Sequence, residues 1–318
     1  MTTRTRSSFA RRPHLGLLGA AAALFFALPA SAQDVQKGTG TGVDQATKGS
    51  TEITSDKFQT REKDGAEAKD ATELSLSAGT LNSSGNSRLV AATSTTKFRL
   101  RREMNQFKAA AAANYARSGP PGGDVETTVQ NFQGLTRYDR FLGDVSVFLS
   151  AQARNDKFQG LDMRFQLDPG VAYYFLNDKT LQLWTEVGYD FLYDIRREDA
   201  RVQRDDKKNV KLDANGAQLP LLAKTRTLHS ARLFLGYEHA LSDTSKLSAG
   251  VEFLQGLAGS ESDTKNAYRL NGDIALTAKV YGALSMSLSF SERYESKPLP
   301  GKEKLDTITA ASLVYTFL

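Results

Sequence analysis

Apolar and polar side chains take turns along most of this chain. In "LSMSLSFSER" (284–293) Leu284, Met286, Leu288 and Phe290 alternate with Ser285, Ser287, Ser289 and Ser291. A period of two puts successive side chains on opposite faces of an extended chain, so the stretch predicts a strand with one oily and one hydroxylated face. "TELSLSAG" (72–79) repeats the pattern. In "DVSVFLSAQAR" (144–154) Val145, Val147, Leu149 and Ala151 oppose Ser146, Ser150, Gln152 and Arg154. In "LQLWTEVGYDFLYD" (181–194) Leu181, Leu183, Val187, Tyr189, Phe191 and Tyr193 oppose Gln182, Glu186 and Asp190. "KLSAGVEF" (246–253) continues the alternation, and in "YRLNGDIALTA" (268–278) Tyr268, Leu270, Ile274 and Leu276 oppose Arg269, Asn271, Asp273 and Thr277.

Such faces suit a soluble sandwich or a membrane barrel with lipid outside and a wet lumen. The connectors separate the two. Short links fall near 102–105, 138–143, 177–180, 242–245 and 281–283, and longer ones near 82–86, 118–124, 158–161, 195–225, 259–264 and 297–304. Long and short alternate in chain order, which predicts about twelve antiparallel strands with both ends on the short-turn side. The expected fold is therefore all-β: an antiparallel transmembrane β-barrel over residues 70–318, with short periplasmic turns and longer outer loops. Most segments reach the ~9–11 residues that a strand needs to cross such a membrane.

Charges in mid-strand then face the lumen. Arg154, Glu186, Asp190, Glu252, Arg269 and Asp273 are the expected inward charges, which would tune ion selectivity in an open barrel. Tyr173, Tyr174, Phe175, Phe141, Tyr237 and Tyr281 lie near short turns and are expected to form an interfacial girdle. In the last stretch, "TAASLVYTFL" (309–318), Ala311, Leu313, Tyr315 and Phe317 share a face. Outer-membrane barrels commonly end on a strand of this kind, which their assembly machinery recognises; here the aromatic is penultimate and Leu318 follows it.

The front of the chain changes the reading of its charge. Arg4, Arg6, Arg11 and Arg12 precede the apolar stretch 15–28, and Ala30-Ser31-Ala32 supplies small residues before an expected cleavage at Gln33, so 1–32 reads as a signal peptide. Residues 33–69 are polar and poor in aliphatics, and are expected to be a disordered periplasmic segment. The whole chain has 41 Lys+Arg against 36 Asp+Glu. Without the four signal arginines the balance is 37 against 36, which gives no electrostatic case for nucleic acid. The absence of cysteine removes disulfides and thiol chemistry.

Two stretches resemble a known group. "ARNDKFQGLDMRFQLDPGVAYYFL" (153–176) is similar to a strand–loop–strand segment of the salt-stress-induced outer-membrane proteins that carry domain of unknown function 481. "SERYESKPLPGKEKLDTITAASLVYTF" (291–317) resembles the last hairpin of the same family, with its loop at 298–304 and the Asp306-Thr307 start of the final strand. The chain departs from the family at Asp168-Pro169, where small residues are usual and where the strand is expected to break, and at Leu318. The resemblance implies an outer-membrane barrel of uncertain biochemical role and supplies no site residues.

Candidates for chemistry are few. His229 and His239 fall on the apolar phase with Leu233 and Leu235, while Ser230 points the other way, so they read as interfacial histidines rather than catalytic ones. No nucleophile-elbow, phosphate-loop or metal-ligand spacing appears, and no enzyme activity, cofactor or metal is expected. The loop 195–225 is dense in charge of both signs. Arg196, Arg197, Arg201 and Arg204 could contact lipopolysaccharide phosphates, and Asp205 with Asp206 could hold a divalent cation, against the plainer reading of a solvated loop. Three functions follow in order: a narrow passive channel for ions or small solutes, linked by the resemblance to salt stress; a closed structural barrel whose loops bind lipopolysaccharide or a partner; and a barrel lipid hydrolase. The expected partners are outer-membrane lipid, lipopolysaccharide and the barrel assembly machinery.

Overall fold

The computed structural model describes residues 70–83, 88–119, 124–157, 159–178, 180–205, 208–262 and 264–316. The expected signal peptide, the polar segment 33–69, Asp206 and the terminal Phe317-Leu318 lie outside the described residues. Twelve strands follow one another: β1 (Ala71–Ser83), β2 (Arg88–Arg102), β3 (Asn105–Gly119), β4 (Glu126–Leu142), β5 (Val145–Asp156), β6 (Leu161–Asn177), β7 (Leu181–Arg196), β8 (Thr225–Ser242), β9 (Ser245–Gly259), β10 (Tyr268–Tyr281), β11 (Leu284–Glu295) and β12 (Leu305–Thr316). Each pairs antiparallel with its sequence neighbours, and β12 returns to β1 to close the barrel.

The alternation that predicts the strands also sets their faces, and the result is inside-out. On β5 Val147 and Leu149 stand out from the barrel while Ser146 and Ser150 are buried, and on β8 Leu233 and Leu235 stand out while Arg232 is buried. Arg137, Asp139, Gln182, Glu186, Asp190 and Asp194 are almost completely enclosed. Apolar groups outside and charges inside fit a barrel whose outer face meets hydrocarbon. The outer wall is dented where Ala111, Gly134 and Ala153 align across β3, β4 and β5, between the larger Phe98 and Phe165.

Links alternate in length as expected. Two residues join β2 to β3, β4 to β5, β8 to β9 and β10 to β11, while 28 residues (197–224) separate β7 from β8. The short turns need left-handed backbone, supplied by Gly143 (φ 66°) and Gly282 (φ 54°), and adopted at some cost by Glu103 (φ 49°). The turn expected near 138–143 lies at its far end, because β4 keeps alternating through Leu142.

Two expectations about individual residues change. Asp168-Pro169 does not break the strand: β6 runs through it, with Asp168 turned inward and Pro169 paired to Leu149 of β5. Pairing to β7 lapses there instead, from Leu167↔Phe191 to Gly170↔Gly188, so one interrupted ladder accommodates a residue without an N–H. Phe141 and Tyr174 do not join an outer girdle. Both point into the barrel and are almost fully buried, because each is out of phase with its outward neighbours, Leu142 and Tyr173.

Candidate functional site: a lumen with two unlike walls

Inward side chains of β4–β8 fill their half of the barrel. Nearest the short turns lie Phe141, Phe148, Tyr174, Trp184 and Phe234, packed as one aromatic layer. Tyr174 stacks on Trp184 with ring centroids 6.3 Å apart, and Trp184 meets Phe234 at 5.9 Å. Two glycines make room for the layer. Gly236 is directly opposite Trp184 and a Cβ there would collide with the indole; a Cβ on Gly170 would lie 2.5 Å from the Phe148 ring. Cations cover the rings: the Arg101 guanidinium sits 4.1 Å from the Phe141 centroid and that of Arg137 sits 4.0 Å from Phe148.

An ionic layer lies over the aromatic one. Arg137 donates to Asp139 at 2.8 Å and to Glu186 at 3.2 Å. Arg232 donates to Glu186 at 2.8 Å and to Glu252 at 2.5 Å, and Asn271 donates to the other oxygen of Glu252 at 2.7 Å. Arg137 is on β4 and Glu186 on β7, which are not neighbours in the sheet. Their bond is therefore a chord across the lumen, as is the contact between Arg269 of β10 and Asp190 of β7. A third level spans further: Arg164 pairs with Asp194 at 2.6 Å and with Glu295 of β11 at 4.0 Å, and Arg226 reaches Glu295 at 3.3 Å. Buried charges of this kind persist because each is paired and hydrogen-bonded; removing one partner strands the others.

The opposite wall is built differently. Inward positions on β9–β12, β1 and β2 include Ser248, Thr277, Ser285, Ser287, Ser289, Ser291, Ser75, Thr93 and Thr95. These are short side chains, and they remain half-buried although they face the lumen, unlike the enclosed residues of β4–β8. Longer groups stand toward both ends of this wall: Glu252, Arg269, Asp273, Arg293 and Glu295 lie toward the long loops, where the ion pairs reach them, and others lie toward the short turns. Arg99 pairs with Glu73 at 2.5 Å and Lys246 with Glu238 at 3.3 Å, and half of the Lys246 side chain stays exposed.

At the other end the 197–224 loop leans over the mouth. Arg197 N–H donates to the Gly160 carbonyl at 2.9 Å, and Ala200, in the 3₁₀ turn Asp199–Arg201, packs with Leu161 and Leu299. Lys208 pairs with Glu303 of the β11–β12 link at 2.7 Å and holds its carboxyl below the ordinary range. That contact is therefore present at neutral pH and is lost only as pH falls through the lowered value.

The sequence family described as "Protein of unknown function, DUF481" matches residues 76–317. The chain belongs to this family. No curated protein matches it in sequence. Solved barrels resemble it loosely. The NanC porin is 11% identical, with 77% of this chain and 100% of that one covered and a TM-score of 0.43. An outer-membrane channel from Pseudomonas putida F1 is 10% identical, with 81% and 100% covered and a TM-score of 0.42. The translocator domain of the autotransporter NalP from Neisseria meningitidis is 13% identical, with 77% and 87% covered and a TM-score of 0.40.

In this DUF481 barrel the six inward charges singled out from sequence take part in the lumen's polar contacts. Glu186 and Glu252 share Arg232, Asp190 meets Arg269, Arg154 pairs with Asp156 at 2.7 Å, and Asp273 with Arg293 at 2.8 Å. Alternation alone did not pick out Arg137, Asp139, Arg232 or the aromatic layer, although all of them lie on the polar phase of their strands. The four loop arginines are engaged within the chain. Arg196 is buried and donates to Glu261 at 2.6 Å and to the Ala223 carbonyl; Arg197 pairs with Asp199, Arg201 with Glu198, and Arg204 donates to the Lys208 carbonyl. Asp205 closes a local turn by accepting the Asn209 N–H. His229 and His239 face outward, paired with Tyr189 and Tyr237, while Ser230 is buried on the inner side.

Proposed function

We propose that this chain is a bacterial outer-membrane barrel carrying a narrow passive pathway for ions and small solutes along one side of its lumen. The observation that carries the reading is the contrast between the two walls. Aromatic rings and ion pairs enclose the β4–β8 side and reach β10 and β11 toward the long loops, while much of β9–β12, β1 and β2 presents short hydroxylated side chains that stay half-buried rather than enclosed. Twelve strands lie between small filled barrels and the 16–18-stranded open porins, so inward side chains decide whether water passes. Here they block half the section and leave the other half wettable.

The apolar outer face supports the membrane setting, and the long loops would then face outward and the short turns the periplasm. Lipid and lipopolysaccharide are the surroundings this implies, with the last strand engaging the assembly machinery. A connection to salt stress, which the family resemblance implies, belongs to the same proposal. The pathway needs no catalytic group, and the reading is of a conduit rather than an enzyme.

Single-channel recording in a planar bilayer tests it, on protein whose folding is first checked by heat-dependent gel migration. The wild type should give reproducible small steps. Ser287→Trp, which fills the open side, should lower them, and Trp184→Ala, which opens the aromatic layer, should raise them. Silence from a folded barrel would overturn the proposal.

A further inference from the structure

The open wall carries an uneven charge. Lys97 and Lys108 flank the turn between β2 and β3, Lys246 follows the turn between β8 and β9, and Lys279 precedes Gly282. Register places all four on the inner side: Lys97 is opposite Ala110, Lys108 opposite Arg99, Lys246 opposite Thr277, and Lys279 opposite Ser285. Lys97 and Lys279 are exposed although they lie on the inner phase of their strands. With Arg99 the four lysines make five cations at this end of the open side, a sixth, Arg101, being drawn over the Phe141 ring of the filled side. Two carboxylates accompany them at inward strand positions among the described residues, Glu73 and Glu238, while Asp70, Glu103 and Asp243 lie outside the strands and Asp139 near Lys108 is already held by Arg137.

The surplus is local. Toward the long loops the inward arginines of the strands meet acids: Arg154 with Asp156, Arg164 with Asp194, Arg293 with Asp273 and Arg196 with Glu261. The cations near the short turns are also mostly lysines, flexible point charges without the planar fork that locks an arginine onto one carboxylate. Cationic rings are how anion pores are built, and a narrow passage between low-dielectric walls focuses their field.

We propose that the short-turn end of the pathway selects small anions, inorganic or carboxylate, through Lys97, Lys246 and Lys279. This rests on the passive pathway proposed above and names its substrate class. Serine and threonine hydroxyls along the same wall can donate to an anion as it passes, so a hydrated anion exchanges water for hydroxyls rather than entering a bare apolar slot.

The test is the reversal potential of the full chain in a planar bilayer across a KCl gradient, at salt low enough that the Debye length, about 10 Å at 0.1 M, does not screen the passage. Wild type should reverse on the chloride side. Lys246→Glu with Lys279→Glu turns the surplus of three cations into a deficit of one and should move the reversal potential to the potassium side. Lys265→Glu, on the β9–β10 link, should leave it unchanged. Currents without chloride preference, or a double variant that still prefers chloride, would overturn the selectivity while the pathway stood. No current from a folded barrel would remove the pathway and the selectivity together.

Discussion

Glu186 joins two guanidiniums, Arg137 from β4 and Arg232 from the adjacent β8, and no water-filled surface relieves any of the three. Glu186→Gln keeps the shape and removes the charge, leaving both arginines short of a partner. Breaking a buried pair costs about 3–5 kcal/mol, so the variant should unfold at clearly lower urea than wild type in detergent. The exposed Glu303→Gln should barely move the same midpoint. A Glu186→Gln midpoint equal to wild type would show that the chords do not hold the barrel. Glu186 was legible in the sequence because it opposes Leu183 and Val187 in a clean alternation. Tyr174 was misread although the signal was there. With Tyr173 and Phe175 outward, parity turns Tyr174 inward, but proximity to a turn suggested a girdle. No rule of alternation could pair Arg137 with Glu186, since their partnership depends on which strands face each other across the lumen.

Among the described residues, eleven ladders are long and one is short: β1 meets β12 from Ser75 to Ala78 against Leu313 to Thr316, whereas β1 meets β2 along its whole length. Few shared hydrogen bonds make a ladder easy to open. Amides of β12 and the first strand should therefore exchange with deuterium before those of β6, β7 and β8, which carry the aromatic layer. Uniform protection around the barrel would contradict this. Strand number and link order were readable because membrane thickness and alternation fix both. The closure seam was not, because register between the first and last strands has no local turn to set it. The 195–225 loop was readable only as charge; that it crosses toward 296–304 follows from Ala200, Leu161 and Leu299, three small or apolar residues with no pattern in sequence.

The described residues form a barrel that is apolar outside and divided inside. Rings and ion pairs hold the strands together on one side of the lumen and reach β9–β11 toward the long loops, and the rest of the other side is lined with hydroxyls. Because the chain has no cysteine, that division can be probed by thiol labelling. Single cysteines placed in turn from Leu284 to Arg293, and at Ser146, Ser150 and Ser230 of the filled side, would be challenged with a membrane-impermeant thiol reagent in vesicles. Reaction is expected at 285, 287, 289 and 291, protection at 284, 286, 288 and 290 in lipid, and protection at 146, 150 and 230 in the packed side. Equal protection of the β11 serines and the three buried ones would mean the lumen is filled throughout, and the half-open barrel would be wrong.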